Sequence, residues 1–168
     1  IYTKILVGSS DVYKRQSEID LNIENEKFAL TTGLTAYEDL SKLNSDRYQY
    51  VLPYYDFSRS FFSNNNYASF DFISQGDNIL KDTNSLRSRM INNLNIQSYD
   101  YFSEKGFKNN LNYYLKNTIS AGKNNVEYDS SPHVKFMNIF EFVSSFPLIK
   151  ESEKFINYLN PKISLRVN

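Results

Sequence analysis

The sequence has few of the residues from which catalytic and metal sites are usually built. It contains no cysteine, which excludes disulfides and thiolate metal sites within these 168 residues. Its single histidine, His133, argues against a histidine metal site or a Ser-His-Asp triad. Apolar residues never run for about 18 positions, so no transmembrane helix is predicted. We therefore expect no enzyme activity, no cofactor and no metal.

Charge gives no sign of a polyanionic or polycationic partner. The 19 basic and 19 acidic side chains cancel, so a nucleic-acid partner is not expected. The acidic pairs Asp71 and Asp77, and Glu151 and Glu153, have no catalytic group beside them in the sequence. We interpret them as solvated side chains, which leaves a hydrolytic enzyme without a supporting constellation.

Aromatic residues are abundant in a chain that is polar overall. Tyrosine and phenylalanine number 14 and 13, while the mean hydropathy is −0.54. This combination suits a sheet with one apolar face and one hydrated face. Apolar and polar residues alternate in runs, most clearly over residues 107–120, and this period of two is that of a strand.

Eight alternating runs are separated by turn residues, and several are longer than the usual five or six residues. A strand of about 10 residues extends about 33 Å, enough to cross a hydrocarbon layer when tilted by about 45°. We therefore predict an all-β fold, an antiparallel meander of about eight long strands that is part of a large transmembrane β-barrel. The predicted strands span residues 18–24, 27–38, 47–58, 67–75, 85–101, 107–120, 133–146 and 155–167.

The connections between these runs are predicted to differ in length at the two ends of the sheet. Residues 25–26 and 103–106 are tight, whereas residues 39–46 and 121–132 are longer. Short turns at one end and long loops at the other are typical of outer-membrane barrels. Residues 60–66 and 76–84 depart from the pattern because they are similar in length, and Gly76-Asp77-Asn78 has the composition of a turn.

The first sixteen residues, IYTKILVGSSDVYKRQ, do not match the rest of the chain. The end of this segment, DVYKRQ, resembles translated adapter sequence. We expect residues 1–16 to be a non-native or unstructured leader, with a native strand or linker as the alternative. Residues 17–168 are then a partial outer-membrane β-barrel domain, a piece of a longer protein.

Four motifs, starting at residue 47, carry a resemblance to a known family. They are RYQYVLPYYDFS with its Leu52-Pro53 pair, GFKNNLNYYLKN, SSFPL, and YLNPKISLRVN with Pro161. In this order they resemble the C-terminal barrel region of the LptD family of lipopolysaccharide-assembly proteins. The resemblance covers roughly 120 residues. Leu52, Pro53 and Pro161 are its marker residues.

The resemblance implies insertion of lipopolysaccharide into the outer leaflet of the outer membrane of a Gram-negative bacterium. Family members enclose a plug lipoprotein, LptE, and receive lipopolysaccharide from a periplasmic bridge protein, LptA. Substrate is thought to leave between the first and last strands, where prolines weaken the seam because they cannot donate to the ladder. The sequence departs from the family in showing no soluble periplasmic domain, no cysteine and too few strands for closure.

Basic residues on the predicted polar faces are the candidate site. Lipopolysaccharide head groups carry phosphates, with which arginine and lysine pair, whereas a cation facing lipid at the midplane would cost about 2–4 kcal/mol. The alternative is general lumen polarity. The predicted lumen-facing substrate path comprises Arg87, Arg89, Lys108, Lys116, Lys135, Lys162 and Arg166.

Tyrosines near the predicted strand ends are candidates for the aromatic girdles found at membrane interfaces. The alternative is aromatic packing within a soluble sheet. The candidate girdle residues are Tyr48, Tyr50, Tyr54, Tyr99, Tyr101 and Tyr158.

Two other protein classes remain open from the sequence. Another outer-membrane barrel, a porin or a receptor, would share the strand pattern and differ only in the motifs. A soluble β-sandwich or adhesin module would have shorter strands and a closed core within these residues.

Overall fold

A computed structural model describes residues 2–11, 14–62, 67–152 and 154–168. Most of these residues lie in β-strands, and a single turn of 3-10 helix, Ser45–Arg47, precedes the fourth strand. The strands are β1 (Tyr2–Asp11), β2 (Lys14–Glu24), β3 (Phe28–Asp39), β4 (Tyr48–Phe62), β5 (Ala68–Lys81), β6 (Ser85–Ser98), β7 (Tyr101–Phe102), β8 (Lys108–Lys123), β9 (His133–Ser145), β10 (Leu148–Glu151), β11 (Ile156–Leu159) and β12 (Lys162–Val167).

Ten of these strands form one antiparallel sheet in which nearly every strand pairs with the next one in the chain. The order is β1-β2-β3-β4-β5-β6-β8-β9-β12, and the short β7 pairs with β8. Eight of the strands have between 10 and 16 residues. The prediction of an all-β antiparallel meander of about eight long strands is therefore confirmed.

The register of the strands separates two faces across the whole sheet. Leu115 of β8 lies opposite Leu94 of β6, and the next residue, Lys116, lies opposite Asn93. The same alternation continues from strand to strand, because residues opposite each other share a face. We call the face that carries Leu94 and Leu115 the apolar face, and the face that carries Asn93 and Lys116 the polar face.

No described hydrophobic side chain is buried, so the sheet encloses no core among the described residues. On the apolar face, Phe136 is 70% exposed and Leu165 is 63% exposed. An uncovered apolar face of long strands needs either an apolar surrounding medium or a further protein layer to remove it from water. Among the described residues, no helix is long and apolar enough to cross a membrane.

A β-bulge interrupts β4 at Leu52 and Pro53. The register passes from Thr35↔Val51 to Gly33↔Tyr54 on one side of β4, and shifts by the same single residue on the β5 side. Proline lacks a donor for the ladder, and bulges are one of the few places where a sheet accepts it. The bulge explains how Pro53 lies in the middle of a strand that is paired on both sides.

A row of polar side chains crosses the middle of the apolar face. The Tyr55 hydroxyl lies 3.0 Å from Ser74 Oγ, which donates to Asn92 Oδ1 at 2.7 Å. Asn92 Nδ2 then donates to Asn117 Oδ1 at 3.2 Å. The row joins β4, β5, β6 and β8, and it satisfies polar groups that would otherwise interrupt the apolar surface.

Several local predictions differ from the structure. The predicted turn at Gly76-Asp77-Asn78 is wrong, because β5 continues to Lys81 and the turn spans residues 82–84 alone. The run over residues 155–167 is two strands, and the break falls at Asn160-Pro161, after which β12 begins.

The predicted difference in loop length between the two ends of the sheet is also wrong. The end with the short connection 25–27 also carries the connection 146–161, which contains the β10-β11 hairpin. The other end combines the short turn 82–84 with the long loop 124–132. Part of the β4-β5 connection, residues 63–66, lies outside the described residues.

Residues 2–11 form β1, which pairs with β2, and residues 14–16 already belong to β2. Backbone pairing therefore occurs within the segment predicted to be a non-native or unstructured leader. That residues 1–16 are not native to the chain stays a prediction.

Candidate functional site

All seven basic residues of the predicted path lie on the polar face. In the register, Arg89 of β6 is opposite Ser120 of β8, which is opposite His133 of β9. Residues separated by an even number of positions in a strand point to the same face of the sheet. The faces of the other basic residues of the path follow from the same register. The seven are Arg87 and Arg89 on β6, Lys108 and Lys116 on β8, Lys135 on β9, and Lys162 and Arg166 on β12.

Three of the seven cations are already neutralised by carboxylates. Asp77 of β5 accepts from Arg87 at 2.5 Å and lies 3.4 Å from Arg89. Lys108 lies 2.8 Å from Asp100. Among the described residues, the other four members of the set form no ion pair.

Glu141 is the carboxylate on the basic side of the polar face, and its oxygens are used by neutral groups. It accepts from Asn112 at 3.2 Å and from Ser164 at 3.1 Å. Arg166 lies directly opposite Glu141 in the register without forming an ion pair with it. The carboxylate therefore links β8, β9 and β12 through hydrogen bonds.

The loop over residues 124–132 folds back onto the end of the polar face. The amide of Gly122 donates to the Asp129 carbonyl at 2.7 Å, and the Arg87 guanidinium lies 6.0 Å from the Tyr128 ring centroid. A Cβ atom at Gly122 would lie 2.6 Å from the Tyr128 Cβ. Gly122 is therefore needed for the close approach of this loop.

A polar cleft of about 460 Å³ lies beneath this loop. Asn124 Nδ2 donates to the Asn84 carbonyl at 3.3 Å and Asn125 Nδ2 to Ser85 Oγ at 3.4 Å, so the loop is attached to the β5-β6 turn. The cleft is lined mainly by amide and charged side chains, among them Gln49, Lys81, Arg87, Asn124 and Glu127.

A second cleft of about 580 Å³ lies beside the first, under the β3-β4 loop. Thr83 Oγ1 donates to Asp46 at 2.5 Å, and Arg47 pairs with Glu38 at 3.2 Å. The pKa of Arg47 is raised, and the largest cause is the hydrogen bond between its guanidinium and the Tyr48 hydroxyl. Arginine is charged at any physiological pH, and this contact acts in the same direction.

The three marker residues lie outside the polar face. Leu52 and Pro53 both oppose Leu34 across the bulge, on the apolar side of β3. Pro161 precedes β12, and its carbonyl accepts from the Phe146 amide at 3.0 Å. Because β4 is paired on both sides, Pro53 is not at an edge of the described sheet.

The candidate girdle tyrosines do not form one set. Tyr48 and Tyr50 begin β4 and stack at 6.0 Å, so they lie near a strand end as predicted. Tyr99, Tyr101 and Tyr158 are exposed at the opposite end. Tyr54 is different, because its hydroxyl reaches across β3 to hydrogen-bond Asp20 and Glu18 on the polar face.

The described residues contain no group of three or more His, Cys, Asp or Glu side chains placed to hold a metal ion. No protein-family model matches the chain, and no curated protein is significantly similar to it in sequence. The candidate site is the broad, charged polar face of the sheet, with two clefts at one end.

Proposed function

We propose that this chain is a wall segment of an outer-membrane β-barrel of the LptD type. In this proposal the polar face lines an aqueous lumen and the apolar face contacts lipid. The seven basic residues then lie along the route of phosphorylated lipopolysaccharide head groups toward the outer leaflet. The observation that carries the proposal is the uncovered apolar face of a sheet of long strands.

Strand length supports a membrane location. The 16 residues of β8 extend about 50 Å, or about 36 Å of depth at a tilt of about 45°. Its apolar face is mostly hydrophobic from Leu111 to Ala121, which at the same tilt covers about 23 Å of depth. Outer-membrane barrels carry an apolar band about 25 Å tall.

The distribution of charge supports the same orientation of the sheet. The seven cations of the path share one face, where water can solvate them. On the opposite face, each would cost about 2–4 kcal/mol at the membrane midplane. Arg59, on the apolar face, is three residues from the end of β4 and lies 4.2 Å from the Phe61 ring, a position from which its guanidinium reaches the interface.

The LptD assignment itself rests on the family motifs and on the basic residues. LptE inside the barrel, LptA on the periplasmic side and the outer membrane around it are the partners that belong to this proposal. The second candidate, a porin or receptor, uses the same sheet and differs in what crosses the lumen. A soluble sandwich would need a further layer over the apolar face.

Cysteine labelling of the full-length protein in a Gram-negative outer membrane tests the orientation. Leu115→Cys and Lys116→Cys are adjacent on β8, a region without native cysteine, and the full-length protein carrying neither substitution gives the labelling background. We expect a small water-soluble maleimide to modify Lys116→Cys and to leave Leu115→Cys unmodified until detergent is added. Modification of Leu115→Cys alone, or of both sites equally in intact membranes, would contradict the proposal.

Depletion of the full-length protein separates the two barrel candidates. Loss of an LptD-type protein should lower the amount of lipopolysaccharide at the cell surface and leave solute influx through porins unchanged. Loss of a porin or receptor should lower the uptake of a solute with surface lipopolysaccharide unchanged. The second result would refute the LptD assignment while leaving the barrel proposal intact.

A further inference from the structure

The neutral net charge of the chain conceals a strong separation of charge on the polar face. Strands β2 to β5 place carboxylates there, and among the described side chains of these strands Lys81 is the cation on this face. Strands β6, β8, β9 and β12 place the seven cations of the path there, with Glu141 as the carboxylate. The seven carboxylates of the acidic half are Glu18, Asp20, Glu24, Asp39, Asp56, Asp71 and Asp77.

The two halves meet at β5 and β6, where Asp77 holds Arg87 and Arg89. Beyond this boundary, Lys116 and Lys135 form no ion pair among the described residues. Met137 of β9 is the residue opposite Lys116, and Glu141 lies four residues further along β9. Glu141 is therefore about 13 Å from the position opposite Lys116. This separation exceeds a Debye length of about 10 Å, and the two ammonium charges are left without nearby compensation.

Hydroxyl groups lie directly beside these two lysines. Lys135 is opposite Thr118, and Lys116 is two residues from Thr118 on the same face of β8. Ser120 follows on β8 and is opposite His133. Opposite positions place Cβ atoms about 5 Å apart and diagonal positions about 7–8 Å apart, so both ammonium groups can reach one small anion.

The surrounding groups leave this patch open. Lys116 and Lys135 are exposed, and Thr118 and Ser120 are half-buried. Neither hydroxyl has a side-chain hydrogen bond among the described residues. The nearby loop acids Glu127 and Asp129 form no ion pair with either lysine in the described part of the chain.

We propose that Lys116 and Lys135, with the hydroxyls of Thr118 and Ser120, form a subsite for a phosphoryl group of an anionic lipid head group. Two ammonium groups supply the charge and the hydroxyls supply neutral donors, a combination suited to phosphate oxygens. The acidic half of the face repels the same ligand and confines it to β6, β8, β9 and β12. This inference rests on the proposed function, because it requires the polar face to line the lumen.

Ligand binding to the purified full-length protein in detergent tests the subsite. The probes are a phosphorylated glycolipid, the same glycolipid with its phosphates removed, and inorganic pyrophosphate. We expect Lys116→Gln with Lys135→Gln to weaken binding of the phosphorylated glycolipid about tenfold and to leave the dephosphorylated form unchanged. Added salt should weaken binding to the wild type more than to this variant.

Two control variants guard against a folding defect. Lys116→Arg with Lys135→Arg keeps both charges and should bind within about twofold of the wild type. Lys105→Gln with Lys123→Gln removes two charges that lie off the polar face, one in the β7-β8 turn and one on the apolar side of β8. Binding by this second pair should also match the wild type.

The outcomes separate this inference from the function on which it rests. Unchanged binding by the double glutamine variant, or an equal loss in the Lys105 and Lys123 variant, overturns the subsite. Pyrophosphate that binds as tightly as the phosphorylated glycolipid, with the same loss in the variant, makes free phosphate the source and overturns the lipid assignment. Protection of Lys116→Cys from labelling overturns the proposed function, whatever the binding result.

Discussion

Gly76→Val is a substitution for which local propensity and tertiary structure predict opposite signs. Gly76 lies inside β5, where valine is intrinsically favoured by up to about 1 kcal/mol. The Tyr55 ring of β4 covers this position, however, and a Cβ atom at residue 76 would lie 2.3 Å from its Cε1. The ring must therefore swing away if valine is to be accommodated.

The displacement of Tyr55 has a cost that follows from its contacts. Ser74 is 8% exposed and donates to Asn92, so the Tyr55 hydroxyl is the donor in its 3.0 Å contact with Ser74. Losing that hydrogen bond costs about 1 kcal/mol, and losing the van der Waals contacts between the ring and the backbone at residue 76 costs about 1–1.5 kcal/mol more. After the propensity gain, we expect Gly76→Val to lower the free energy of unfolding by about 1–1.5 kcal/mol.

A double-mutant cycle with Tyr55→Ala isolates the contact. Tyr55→Ala removes the three atoms that lie nearest to the new Cβ, so valine at residue 76 should be neutral or stabilising in that background. The free energies are measured by urea titration of the full-length protein in detergent micelles, with folded and unfolded forms separated by electrophoretic mobility. Additive effects of the two substitutions would refute the account of Tyr55 and Gly76 given above.

Three further predictions follow from the bulge, the folded loop and the ion pairs. Deleting Pro53 should remove the extra residue of the bulge and lower the free energy of unfolding by less than about 2 kcal/mol. Deleting Phe57 should instead turn the side chains on one side of the deletion in β4 to the wrong face of the sheet and prevent folding. Electrophoretic mobility distinguishes the folded from the unfolded form in both cases. Gly122→Val should displace the loop at Tyr128, because the new Cβ would lie 2.7 Å from the Tyr128 backbone oxygen, which can move away only if the loop backbone moves with it. Limited proteolysis should then show faster cleavage within residues 124–132, and unchanged cleavage would contradict this. Asp77→Asn should lower the free energy of unfolding by about 1 kcal/mol in urea titrations at low salt, because Arg87 and Arg89 lose their carboxylate partner. The effect stays small because solvent screens these partly exposed charges. An unchanged free energy of unfolding would show that the two ion pairs contribute nothing to stability.

The positions of most strands could be predicted because alternation is a local signal. Residues 107–120 alternate cleanly, and β8 occupies Lys108–Lys123. Gly76-Asp77-Asn78 was mispredicted, because its residue types favour a turn in isolation. In the structure these residues pair with β4 and β6, and Gly76 faces Tyr55, a residue 21 positions earlier in the chain that no local pattern contains.

The grouping of the seven basic residues on one face could be predicted within each strand but not between strands. Alternation places Lys108 and Lys116 together on β8, and Arg87 and Arg89 together on β6. Only the register shows that these pairs share a face with Lys135. A shift of one residue in any pairing would have sent one strand's cations to the apolar side.

The sequence by itself determined that this chain forms long two-faced antiparallel strands, because side chains of a strand alternate with a period of two whatever lies beside it. The tertiary structure alone decided how those strands align, and the alignment created the bulge at Leu52-Pro53, the polar row from Tyr55 to Asn117 and the two charged halves of the polar face. Each of these features joins residues from different strands. Their contacts depend on pairing energies summed over whole strands, and a single segment of sequence does not carry that information.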